Sequence, residues 1–274
     1  MNWQFDGRVA IVSGGSKGIG FAIARLLLAE GCRVTIASRT QQALDAALEA
    51  LEAEAPGRVG ATAADMTADD QVRRVAAEAR ERFGPADIAV SNVSGHVIDK
   101  TAAGPHAGYF MDVPPEGYRQ EFEQLFMSAW SLARAVIPDM KARGFGRILN
   151  IGSGVAREPT WELPHILPNA VRPAVAGLYR TLALELAPFG ITVNNILTGS
   201  IATDRNVAYT SWLAQERGVD REQVVKDMHR TQPICRAGTP EEMAALAGFL
   251  CSGVAGQISG QSIPVSGGRA RHIY

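Results

Sequence analysis

The chain has little cysteine: Cys32, Cys235 and Cys251 are the only three in 274 residues, far apart, with neither CxxC nor His/Cys ligand spacing. That excludes a disulfide framework and a zinc-type metal site, and reads as structural thiols in a reducing compartment. No run of about 18 apolar residues occurs, which excludes a membrane-spanning helix of ordinary length. Net charge is −1 with no basic stripe, so neither nucleic acid nor an anionic membrane surface is the expected partner; a small molecule is. The start, MNWQFDGRVAIVSGG, goes directly into a strand and a glycine loop without a basic n-region, apolar h-region or cleavage site, which predicts a soluble cytoplasmic protein. Internal repeats and Pro/Gly/Ser-rich linkers are also missing, so residues 1–274 are expected to form a single domain.

What is present is a regular alternation. Short β-branched runs, RVAIVS, RVTIAS, RVGATAA, DIAVSN, GRILNIGS, ITVNNIL and QSIPVSGG, read as about seven strands. Helical periodicity falls near 18–30, 40–54, 68–83, 115–143, 173–188 and 239–252. Strands alternating with helices predict an α/β fold: a Rossmann-type, doubly wound parallel sheet with helices on both faces. Two segments break the rhythm. Residues 93–115 are long for a strand-to-helix connection, and 198–238 carry a separate helical patch, NVAYTSWLAQERG. Both are expected to wall or cover a substrate cleft, because such folds bind ligands at the carboxyl ends of their strands.

The first strand ends in SGGSKGIG, placing Gly14, Gly18 and Gly20 in a GxxxGxG turn, with Ser16, Lys17 and Ile19 between them. Missing side chains let backbone N–H groups approach a pyrophosphate, whose charge is favoured at the helix N-terminus. The second strand ends ASRT, offering no carboxylate to a free ribose 2′-hydroxyl; Ser38, Arg39 and Lys17 suit a 2′-phosphate instead, which favours NADP(H) over NAD. Asp65 and Met66 are placed at the adenine edge, and Asn92 where the fourth strand meets the cleft.

With SGGSKGIG, ADM at 64–66, DIAVSNVSG, GRILNIGS, LALELAPFGITVNNI and ISGQSIPVSGG in order, the chain resembles the short-chain dehydrogenase/reductase family over nearly its whole length. The resemblance implies hydride transfer between a nicotinamide and a carbonyl or alcohol carbon, with a tyrosine, a lysine four residues on, a serine and an asparagine as the working side chains. Ser153 matches the serine. Leu125 stands at the asparagine position and is expected to be a core residue. The YxxxK motif becomes PNAVR, with Pro168 for tyrosine and Arg172 for lysine. Arg172 keeps a cation able to hold a ribose or an oxyanion, yet it cannot shuttle protons. His165, twelve residues after Ser153, and Tyr109 in the long loop are the candidate replacements for the acid or base. Tyr179 is expected to pack, while Trp161, Tyr209 and Trp212 either line an apolar pocket or pack. Asn169 or Pro173 is the expected start of the helix that follows. Thr198-Gly199 replaces the family's Pro-Gly, and Thr203 remains where the family's threonine meets the nicotinamide carboxamide.

The expected function is an NADP(H)-dependent oxidoreductase with a non-standard proton donor. The alternatives are a redox-neutral isomerase, dehydratase or lyase on the same scaffold, and a non-catalytic NADP-binding protein. Family resemblance further implies a homodimer or homotetramer through the 115–143 and 173–188 helices and the last strand.

Overall fold

The computed structural model describes residues 2–93, 110–111, 113–159, 166–230 and 232–271. Seven parallel strands lie in the order β3-β2-β1-β4-β5-β6-β7: β1 Val9–Ser13, β2 Arg33–Ser38, β3 Val59–Ala63, β4 Ile88–Ser91, β5 Gly146–Ser153, β6 Ile191–Thr198 and β7 Ser262–Val265. Strand parity sorts the side chains. Ala10, Val12, Ile88, Val90, Leu149, Ile151 and Ile196 enter the core under helices α1 (Gly18–Ala29), α2 (Gln41–Glu54) and the last helix. Their alternates Ile11, Ala89, Ile148, Ile191 and Val193 pack under α3 (Asp69–Phe83) and the helices of the opposite face. Parity also puts Ser91, Asn150 and Asn195 on that second face, near the carboxyl ends of β4, β5 and β6.

The expected 115–143 helix is interrupted. Residues Pro115–Phe122 (α4) and Ser128–Arg143 (α5) flank a π-helical turn, Glu123–Met127, in which Ser128 N–H donates to the Glu123 carbonyl. One extra residue in that turn shifts the helical phase. The pattern EFEQLFMSAW carries no breaker, so periodicity alone reads it as continuous.

The next helix, α6, spans Ile166–Leu186, which corrects the expected start at Asn169 or Pro173. Leu167, Val171, Val175, Tyr179, Ala183 and Leu186 form one buried stripe, and burying its first members carries the helix back past both prolines. Pro168 falls in the first turn, where no intrahelical acceptor awaits an N–H. Pro173 is exposed and lies inside the helix, so its cost is one missing bond to the Asn169 carbonyl.

Residues 198–238 hold two helices, α7 Asp204–Arg217 and α8 Arg221–Arg230, where one patch was expected. Leu213, Ala214 and Val224 are buried between them, with Tyr209 and Trp212 against this cluster at a ring-centroid distance of 6.0 Å. Both aromatics therefore pack in a satellite core. The segment closes at its base: Gly238 N–H donates to Ser200 O (2.9 Å) and Ala202 N–H to Gly238 O (2.8 Å). Helix α9, Pro240–Cys251, begins at a capping box of Thr239 and Glu242 and packs on α1. Among the described residues no helix is long and apolar enough to cross a membrane. Cys32 and Cys251 are buried and Cys235 is exposed, all with free thiols.

Candidate active site and cofactor cleft

Strand order reverses between β1 and β4, and the loops after these two strands bound a cleft of about 220 Å³. From the glycine loop it takes Gly14, Ser16, Lys17, Gly18 and Ile19; from the end of β2, Ser38 and Arg39; after β3, Asp65 and Met66; after β4, Asn92; and before α7, Thr203. The structure thus gathers at one cleft every residue expected to touch a cofactor, apart from Gly20 just behind it.

Glycine is required here by contact as well as conformation. Gly14 has φ +61°, and a Cβ on it would overlap the Asn92 carbonyl oxygen; a Cβ on Gly20 would overlap the Gly14 carbonyl oxygen. Asn92 clamps the loop from outside: its N–H donates to Ser13 Oγ (3.0 Å) and its Nδ2 to the Gly14 carbonyl (3.2 Å). Ser16 Oγ donates to Ser38 Oγ (3.1 Å), tying the loop to the end of β2. Lys17, the N-cap of α1, and Arg39 are both exposed at the mouth of this corner. Asp65 organises its own turn by accepting from Thr67 N–H (3.0 Å) and Thr67 Oγ (2.9 Å). Thr203 accepts from Asn206 N–H (3.3 Å), so it is the N-cap of α7 as well as a wall of the cleft. A backbone cradle at a helix N-terminus, with two free-standing cations beyond it, fits a dinucleotide carrying a 2′-phosphate.

Sequence reasoning missed Gln124 and Arg205, which also line the cleft. Gln124 is presented by the π turn, a feature with no sequence signature. Arg205 had a readable signal, since it is two residues beyond Thr203.

Next to the cleft lies a cavity of about 10 Å³, room for roughly one water molecule. Ser91, Asn150 and Asn195 supply its sheet side, and Arg172, Val175 and Ala176 its helix side. Asn150 Nδ2 donates to Asn195 Oδ1 (2.8 Å). Leu125 also lines it and is 5% exposed, as expected of a core residue. Ser153, half-buried, ends β5 one residue past Gly152 of the cavity wall and pairs with Thr198. Tyr179 is 1% exposed and its hydroxyl is hydrogen-bonded to Ser91; burial pushes its phenol well above the ordinary value. It packs, as the sequence predicted. The candidates Tyr109 and His165, and Trp161, lie outside the described residues.

Arg172 is half-buried, one turn beyond Pro168 on the inward side of α6. Desolvation first, and then the positive charge of Arg205, push its guanidinium down to about 10, against the opposing charge of Glu121. Arg172 remains a cation at neutral pH. Arg205 is also lowered by desolvation and supported by Glu121, which is 3% exposed on α4. Arg172 thus lines the small cavity and Arg205, exposed, the cofactor cleft, and the charge of the buried Glu121 supports both.

A doubly wound parallel sheet with a glycine cradle at its switch point and cations beside it defines a Rossmann-type nucleotide-binding protein. A family profile described as "Enoyl-(Acyl carrier protein) reductase" matches residues 14–270. The chain is 35% identical over 269 residues to "Dehydrogenase/reductase SDR family member 4" of Bos taurus, covering 98% of this chain and 89% of that one. It therefore belongs to the short-chain dehydrogenase/reductase family. Among solved structures, L-sorbose reductase from Gluconobacter frateurii complexed with NADPH and L-sorbose superposes with a TM-score of 0.90 at 31% identity, covering both chains fully (100% each). A short-chain oxidoreductase from Pseudomonas aeruginosa described as containing an atypical catalytic center superposes with a TM-score of 0.84 at 32% identity, covering 97% of this chain and 98% of that one.

Proposed function

We propose that the protein is an NADP(H)-dependent oxidoreductase that interconverts a carbonyl and a secondary alcohol with an atypical proton source. The observation that carries this reading is the intact cleft: Gly14 and Gly20 packed too closely for any side chain, Lys17 and Arg39 open beyond them, and Thr203 on the facing wall. The NADPH complex of the Gluconobacter reductase, which matches over both full lengths, supports the cofactor assignment. Bound NADP(H) supplies or accepts the hydride. Ser153 donates a hydrogen bond to the substrate oxygen. Arg172 favours negative charge developing on that oxygen. Pro168 has no group to exchange a proton, so the proton comes from His165, Tyr109 or a water molecule.

The reading takes the whole chain as one domain, with α7 and α8 as the described part of a substrate lid. Leu184 (66% exposed) and Phe189 (40% exposed) at the end of α6 support self-association through that face. A redox-neutral reaction in the same cleft is the second reading, favoured by one feature, the cation at Arg172 without a tyrosine at Pro168.

The test is direct binding of NADPH and NADH to the purified protein, followed by loss of the reduced-nicotinamide absorbance with a panel of ketones. NADPH should bind tighter, and the double variant Lys17→Ala, Arg39→Ala should shrink that preference roughly 10- to 100-fold. Equal binding of the two cofactors by the unaltered protein would end the NADP(H) assignment.

A further inference from the structure

We infer that the turn after β7, Ser266 to Gly268, is a positioning element for the cofactor: it seats the base of the α7–α8 segment and, through Thr203, fixes how the nicotinamide half of NADP(H) is held. This rests on the NADP(H) reading and deepens it with residues that stand outside the cleft.

Both ends of the α7–α8 segment meet at this turn. On the incoming side, Gly199 N–H donates to Val265 O (2.9 Å), and a Cβ on Gly199 would stand 2.8 Å from Ser266 Cα. On the outgoing side, Ile234 N–H donates to Gly267 O (3.1 Å), and the buried Gln232 donates from Nε2 to Ser266 O (3.4 Å). Gly267 has φ +60°, and a Cβ there would overlap Ile234 Cγ2, so the outgoing chain is seated on bare backbone. Gly238 then bonds to Ser200 and Ala202, closing the two ends on each other.

Ser200, Asn206 and Thr203 link this base to the cleft. Asn206 Nδ2 donates to Ser200 Oγ (3.2 Å) and Asn206 N–H to Thr203 Oγ1 (3.3 Å). Thr203 in turn lies against the glycine loop, where a Cβ on Gly18 would stand 3.4 Å from Thr203 Cγ2. Displacing the seat therefore moves Thr203 relative to Gly18. Strand order puts the ends of β2 and β3, with Ser38, Arg39 and Asp65, on one side of the glycine loop, and the end of β6, which leads to Thr203, on the other. With the 2′-phosphate at Lys17 and Arg39, Thr203 meets the half of the cofactor beyond the pyrophosphate.

The experiment titrates the full chain with NADPH, read by its fluorescence, and with adenosine 2′,5′-bisphosphate, read by calorimetry, as a probe of the adenosine half alone. Gly267→Ala should raise the Kd for NADPH roughly 3- to 10-fold and leave that for the bisphosphate within about twofold. Adding Ile234→Ala, at an exposed residue, removes the group that the new Cβ would overlap and should recover much of the NADPH affinity. Gly57→Ala carries a comparable left-handed strain (φ +73°) in open space and should change neither constant. Gln232→Met loosens the seat without adding bulk; it should weaken NADPH in the same selective way, and it carries the test if Gly267→Ala does not fold. Thr203→Val also weakens NADPH, and combined with either seat variant it should lose less than the product of the single effects, because both act on one contact. Multiplicative losses in the combined variant, equal losses for NADPH and the bisphosphate, or an unchanged Kd for NADPH in the seat variants would overturn the inference and leave the cofactor reading standing. Failure of the unaltered protein to bind NADPH would overturn both.

Discussion

Replacing Arg172 by methionine should stabilise the ligand-free protein. The guanidinium is drawn from water by the floor of the cleft and by α6, and its fall from the ordinary 12.5 to about 10 corresponds to roughly 3 kcal/mol. The group is only half-buried and its cleft opens to solvent, so a measured effect of about 1–2 kcal/mol is expected. Methionine keeps most of the side chain's reach and packs against Val175 and Leu125, which line the same cavity.

The sign follows from proton linkage. A base lowered on folding binds fewer protons in the folded state, so its cost is complete below pH 10 and is relieved as pH rises from about 10 toward 12.5. At pH 7.5, urea unfolding of Arg172→Met should therefore give a higher midpoint at unchanged slope, and thermal unfolding a Tm higher by about 2–8 °C. The difference between the two proteins should narrow above pH 10. If the variant is instead less stable by about 1 kcal/mol or more, the guanidinium makes a structural contact, and the picture of a strained, ligand-seeking cation is wrong.

Three further perturbations separate cradle, scaffold and cap. Gly14→Ala combines a left-handed φ of +61° with overlap on the Asn92 carbonyl, and should cost about 2–3 kcal/mol in unfolding free energy and weaken NADPH binding in a titration. Asp87, 7% exposed, accepts from Val9 N–H (3.0 Å) and pairs with Arg8 (3.1 Å) and Arg143 (3.2 Å); Asp87→Ala removes the carboxylate from all three and should destabilise by about 2–4 kcal/mol in urea. Glu242 is held down to about 2 by the Arg236 side chain and then by Thr239 N–H, so its help to α9 is complete above about 4.5 and is lost as pH falls toward 2. Glu242→Gln, which can still accept from Thr239 N–H, should show a flatter acid unfolding profile than the unaltered protein across that window, and identical profiles would remove the Glu242 charge and its pairing with Arg236 from the account.

Much of the scaffold was legible because it rests on short-range patterns. β-branched runs gave each strand to within three residues at either end, and the glycine spacing gave the cradle, since the same missing Cβ atoms serve the local turn and the approach of a ligand. Errors arose where tertiary packing outweighed local preference. Proline at 168 and 173 reads as a late helix start, yet burial of Leu167 and Val171 extends α6 to Ile166. Helix α8, REQVVKDMHR, buries only Val224, too little for an apolar period to stand out. Gln124 and Leu125 are neighbours in sequence yet face the cofactor cleft and the small cavity respectively, a division produced by the π turn.

The same physics bears on the missing acid or base. Tyr179 is the next phenol after Arg172 in sequence and lies two turns along the same helix, on the stripe that faces the sheet. Burial raises its phenol well above the ordinary value, outweighing the opposite pull of the Ser91 hydrogen bond, so it stays protonated at neutral pH. A lysine cation near a phenol acts by favouring the phenolate; with proline at 168, the preceding turn of α6 offers Arg172 no phenol. On the reductase reading proposed above, α6 delivers charge to the site while the proton arrives from another wall, so a variant that keeps charge at position 172 should retain more activity than one that restores polarity alone.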